Sequence, residues 1–167
     1  MNFSKILISK LFFIFISTQL FFNVTKANAA EEVKIIYSIF SRTIKVNSLK
    51  TFAQEGKSTK KLKRILRATG STDKEIKSVL NKNFEIPITI ASKLVYSEIG
   101  NIFLTRLSSI IHPPRADDER TGMLALRASL VQGIVIGNGK INMLNFFEAY
   151  PTKTIILDVN ALSKVMN

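Results

Sequence analysis

The chain has 167 residues and a formal net charge of +12, from 24 Lys and Arg against 12 Asp and Glu, with one histidine and no cysteine. The lack of cysteine excludes disulfides, thiolate metal sites and a lipid-modified cysteine anchor, and one histidine is too few for an ordinary zinc site. The length suffices for one domain whose stability comes from core packing alone.

Residues 1–29 read as a secretory signal peptide. Lys5 and Lys10 make a positive start, residues 11–22 an apolar run, and Ala27-Asn28-Ala29 a small-x-small cleavage site. Residues 6–24 could also just span a bilayer, so the alternative is an uncleaved N-terminal membrane anchor; Ser17, Thr18 and Gln19 weaken its apolar centre. Cleavage removes Lys5, Lys10 and Lys26 and takes the charge from +12 to +9 on a single domain, residues 30–167. The expected location is the periplasm or another extracytoplasmic space. There a basic protein meets anionic headgroups before it meets nucleic acid.

Residues 33–40 (VKIIYSIF) are β-branched and aromatic, and residues 42–46 (RTIKV) alternate. Two such runs with almost nothing between them predict a β-hairpin. Asn47 is placed to cap a short helix that Gly56 ends, and Ser58 to open a second that Gly70 closes. In the second, Leu62, Ile65 and Leu66 form the apolar face. Thr72 with Glu75 makes a capping box for a third helix, whose apolar face is Ile76, Val79 and Leu80. After the break at Pro87, a helical run capped by Thr89 is expected to reach Ile111, bending near Gly100. Its apolar positions are Leu94, Phe103, Leu104, Leu107, Ile110 and Ile111.

Pro113-Pro114 stops that run. Asp117, Asp118 and Glu119 then place negative charge at the start of a helix, where the helix dipole favours it. Gly137-Asn138-Gly139 is a turn, Asn142 caps a further helix, and Pro151 ends it. Residues 154–158 form a strand, followed by a terminal helix over residues 160–166. The stretch 153–162 echoes 42–49, a strand feeding an Asn-led helix, which suggests that the last strand joins the hairpin. The fold class expected is α+β and mostly helical: five to seven short helices on a small antiparallel sheet of hairpin plus C-terminal strand.

Enzymatic patterns are missing. No pair of glycines frames a serine as Gly-x-Ser-x-Gly, and Gly139-Lys140 lacks both the first glycine and the hydroxyl residue of a phosphate loop. His112, at the expected end of a helix, reads as a partner of helix carbonyls rather than a catalytic base. The acidic run lacks calcium-loop spacing and cannot flank a glycosidic bond. The expectation is a chain that is not an enzyme and uses no cofactor or metal.

Charge supplies the candidate site. Lys57, Lys60, Lys61, Lys63, Arg64, Arg67, Lys74, Lys77 and Lys82 are opposed only by Asp73 and Glu75. This face suits an anionic membrane surface, although it lacks the exposed aromatic residues of a strong interfacial anchor. The bland alternative is a solvated face. Nucleic acid is not expected as a partner, because no aromatic-rich binding motif accompanies the charge.

Several segments resemble a cyanobacterial domain of unknown function that is found directly before an α/β-hydrolase domain in exported proteins. They are Ile44-x-Val46-x-x-Leu49-x-x-Phe52-Ala53-x-x-Gly56, Ile86-Pro87 with Leu94, and Ser97-Glu98-Ile99-Gly100-x-x-x-Leu104-x-x-Leu107. Ile111-His112-Pro113, residues 125–131 (ALRASLV), Gly139-Lys140-Ile141-Asn142-x-Leu144 and Tyr150-Pro151 complete the set. The hydrolase half, with its serine nucleophile, has no counterpart here, so no catalytic residue carries over. The resemblance implies a helper role: a lid, chaperone or docking module for an exported hydrolase or another envelope protein.

Overall fold

The computed structural model describes residues 29–68, 72–116 and 118–161. Residues 1–28 of the signal-peptide segment, Gly70, Asp117 and residues 162–166 of the expected terminal helix lie outside the described residues, as does the side chain of Leu66.

Strands β1 (Glu32–Tyr37) and β2 (Phe40–Lys45) form the antiparallel hairpin, with Val33 opposite Ile44 and Tyr37 opposite Phe40. The turn therefore falls at Ser38-Ile39, not at Ser41 as the two apolar runs suggested. This register buries Val33 and Ile44 side by side, and a strand slipped by one residue would turn them to solvent.

The chain passes directly into α1 (Val46–Glu55). Asn47 is not its cap. The Val46 N–H is taken by the Glu31 carbonyl at 2.9 Å, so the residue just before β1 satisfies the first amide, and the helix begins two residues earlier, with Lys45 at the cap position. Gly56 ends α1 at φ 73°, donating to the Phe52 carbonyl as expected. In α2 (Lys60–Ala68), Thr59 rather than Ser58 accepts the Leu62 amide. The Thr72–Glu75 capping box is present on α3 (Asp73–Asn81), where Leu80 is buried and Val79 exposed.

The long run expected after Pro87 is two helices, α4 (Ile88–Val95) and α5 (Glu98–Ser108). Thr89 lies inside α4 and does not cap it; Pro87 precedes the helix and its carbonyl accepts the Ala91 amide. Ser97 starts α5 afresh by accepting the Gly100 amide at 3.0 Å. Gly100 is required there, since a Cβ would sit 2.0 Å from the Leu94 carbonyl oxygen. Ile111 is not helical. Ile111–His112 form a short strand, β4, ahead of α6 (Glu119–Ile136), which Asp118 caps. A turn with Asn138 and Gly139 at positive φ leads to β5 (Lys140–Ile141), which pairs with β3 (Phe84–Glu85). Asn142 caps α7 (Met143–Glu148), accepting the Asn145 amide.

The last described strand, β6 (Thr154–Asp158), joins the hairpin as the echo suggested. It runs parallel to β1, so the sheet is mixed, in the order β2-β1-β6-β4, and not antiparallel throughout. A helical layer separates β1 from β6 along the chain, so their connection is a crossover and not a hairpin. The fold class is α+β and mostly helical, as expected. Phe52, Leu104, Leu126, Ile134, Tyr150 and Ile155 anchor the core, and every buried residue among those described lies between Ala30 and Ile156. No described helix is long and apolar enough to cross a membrane.

Candidate functional site

The predicted basic residues occupy α2, α3, the turn before α2 and, for Lys82, the position just after α3. Helix α2 is held by buried Leu62 and half-buried Ile65, so Lys60, Lys61, Lys63, Arg64 and Arg67 project into solvent. It lies along the sheet edge: Thr43, Ile44 and Lys45 of β2 and Lys61, Leu62 and Ile65 of α2 line one cavity of about 210 Å³. Helix α3 rests instead on α1 and α7.

The charges divide accordingly. Lys57 pairs with Glu55 at 3.0 Å, and the Lys77 ammonium lies beside Gly56. Both stand at the C-terminal end of α1, where the helix dipole favours positive charge. Lys74 projects from the first turn of α3, and Lys82 lies over the Phe84 ring, 5.3 Å from its centre. The five cations of α2 have no salt-bridge partner among the described residues. These five side chains form an uncompensated positive group on one exposed helix face.

A second surface is apolar. Ile90 and Leu94 on α4 and Ile99, Ile102 and Phe103 on α5 are exposed at helical spacing, so Leu94 and Phe103, two of the apolar positions of the predicted helical run, lie outside the core. The buried stripes of these helices are Ala91 and Val95, and Gly100, Leu104 and Ser108, one position further round. Arg127 of α6 locks the corner between them. Its guanidinium lies over the Tyr96 ring, donates to the Val95 carbonyl at 3.0 Å and also bonds Asn101.

Ser108, His112, Asp118 and Glu119 meet around a surface cleft of about 220 Å³. The Ser108 hydroxyl bonds the Thr105 carbonyl at 2.6 Å, with the Glu119 carbonyl at 3.2 Å. His112 lies on β4, not in a helix, and its Nδ1 faces the Pro113 carbonyl at 2.9 Å. Asp118 Oδ1 accepts the Thr121 amide, a bond that holds its carboxyl below the usual range. No hydrogen bond among the described residues links Ser108 to His112, or His112 to a carboxylate. No group of three His, Asp or Glu residues among those described could hold a metal ion. Tyr150 is fully buried, and its hydroxyl has no hydrogen-bond partner; burial pushes its pKa well above the usual tyrosine value.

Sequence reasoning missed the hairpin tip. Tyr37, Ile39 and Phe40 are 65%, 89% and 59% exposed. The apolar run 33–40 reads as one continuous strand, which hides the turn at Ser38-Ile39. The available signal was a two-residue turn containing isoleucine, where glycine, asparagine or aspartate is usual.

Residues 29–158 match a family described as an alpha/beta hydrolase of unknown function (DUF1400), and the chain belongs to that family. No curated protein and no solved structure matches the chain.

Proposed function

We propose that this member of the family is an exported, non-catalytic accessory domain that docks onto another envelope protein, an exported hydrolase being the partner its resemblance favours. The carrying observation is the apolar face of α4 and α5, on which Ile90, Leu94, Ile99, Ile102 and Phe103 stand in water. Apolar side chains gathered in this way on a small domain mark an interaction surface. The hydrogen bonds of the Ser108 cleft support the non-catalytic part. The serine hydroxyl is engaged by main-chain carbonyls, and Asp118 is engaged as a helix cap.

Capture from envelope extract at high salt tests this, using residues 30–167 as bait beside a Leu94→Glu, Phe103→Glu variant. Retention of a hydrolase by the unmodified domain, lost in a variant with an unchanged melting temperature, is the expected result. Equal retention by both would remove the α4–α5 face from the account. Ester hydrolysis abolished by Ser108→Ala would replace the accessory role with an enzymatic one.

A second reading, of a peripheral module on anionic membrane, is favoured by the uncompensated cations of α2. Lys60→Glu with Arg64→Glu is expected to abolish binding to anionic vesicles. Vesicle binding that survives this double charge reversal would contradict it.

A further inference from the structure

We propose that the tip of the β1–β2 hairpin is a membrane wedge: Tyr37, Ile39 and Phe40 seat in the interface of an anionic bilayer while the cations of α2 engage the headgroups. The proposal rests on the second reading above and supplies the apolar element which the basic face lacks.

The geometry comes from an overhang. Side chains alternate along a strand, so Tyr37 shares a face with Val33, and Phe40 and Arg42 share one with Ile44. At Val33 and Ile44 that face is buried. At the far end the same face is bare, and Ile39 projects at the turn itself.

The bare end is also held in place. Ser38 adopts φ 52°, an unfavourable region for a residue other than glycine. Asn160 brackets this turn from the other end of the chain. Its Oδ1 accepts the Ser38 amide at 2.7 Å, and its Nδ2 donates to the Ser38 carbonyl at 3.4 Å. Asp158 in turn accepts the Asn160 amide at 2.9 Å. Three apolar side chains are thus fixed outside the core by a specific polar bracket.

Charge selects the occupant. The hairpin carries a single acid, Glu32, at its base, whereas Arg42 stands exposed just behind Phe40. Helix α2 lies against residues 43–45, which are about 10–16 Å from Phe40 at the rise of a strand. Its cations therefore stand behind the wedge. Phenylalanine and isoleucine suit the acyl boundary, and tyrosine suits the polar interface. Neither a small apolar tip nor a basic patch alone gives stable attachment, but the two together do.

The chain has no tryptophan, so Ile39→Trp is a clean reporter and Phe103→Trp a control on the α4–α5 face. Residues 30–167, which hold the whole described core, are mixed with vesicles of phosphatidylcholine, with or without phosphatidylglycerol. Circular dichroism checks the folding of each variant. The emission of Ile39→Trp should shift to the blue on anionic vesicles only, and that of Phe103→Trp should not move. Independently, Ile39→Ser with Phe40→Ser should sediment with anionic vesicles about tenfold more weakly than the unmodified chain. Vesicle binding with no blue shift and no loss in the serine variant would overturn the wedge and leave the basic-face reading standing. An equal shift on neutral vesicles would overturn the anionic occupant. If the unmodified chain fails to sediment with anionic vesicles at low salt, the basic-face reading falls and takes the wedge with it.

Discussion

Val33 and Ile44 face each other at the base of the β1–β2 hairpin and are 4% and 6% exposed, whereas Tyr37 and Phe40, paired further along, are 65% and 59% exposed. The four residues have similar chemistry and lie on one continuous face of the same two strands. What differs is cover. The helical layer packs over the base of the sheet and stops short of the tip. Apolar character thus gives a strand its propensity, while the neighbouring elements decide which part of it becomes core. The uncovered part is available to another surface.

The largest effect should come from the covered end. Ile155 pairs with Val33 at the sheet centre and is 1% exposed. Ile155→Ala should lower unfolding stability by about 2–5 kcal/mol in a denaturant titration, through lost transfer energy and a residual cavity. A loss no greater than that of a surface substitution would mean that the base is not closed.

Asn160→Ala should cost about 1 kcal/mol by removing the bracket on the turn. It should also speed amide exchange at Ser38. Unchanged exchange would show that the turn holds its shape without Asn160.

Acid separates caps from packing. Hydrogen bonds to Thr121 and Thr72 lower the folded-state pKa values of Asp118 and Glu75. A lowered carboxyl pKa contributes stability above the unfolded value and loses it as pH falls through the folded value. Stability should therefore decline on acidification below the ordinary carboxylate range, and Asp118→Asn, which keeps a capping oxygen, should flatten that decline. Identical slopes for the two proteins would show that the Asp118 cap makes no contribution to pH dependence.

The smallest effect belongs to the tip. Ile39→Ser should change folding stability by no more than about 0.5 kcal/mol, because the side chain has no core to leave. A large destabilisation would contradict the contrast directly.

How far the chain could be read follows from the range of the forces involved. The Thr72–Glu75 box, the Gly56 terminus, the Asp118 cap and the Asn142 cap are each completed within three or four residues, so local sequence contains them. The hairpin turn was misplaced because its register depends on which residues find cover, a property of distant helices. The parallel direction of β6 was hidden for a similar reason: a strand sequence does not record which way its partner runs. The break at Ser97 was legible in principle as a cap-forming serine, but the apolar spacing on either side concealed it. At the candidate site, the cations were plain in the sequence. Their division into those serving the end of α1 and those left unpaired on α2 required the positions of Glu55 and Gly56. Leu94 and Phe103 have core-forming chemistry and helical spacing, yet the fold leaves both outside.

Amide hydrogen exchange across the whole domain, with and without anionic vesicles, tests the central contrast most directly. The account predicts slower exchange around Ser38-Ile39-Phe40 on vesicles, with the amides near Val33 and those of α4 and α5 unchanged. Slowing confined to α4 and α5, or none anywhere on vesicles that bind the protein, would contradict it.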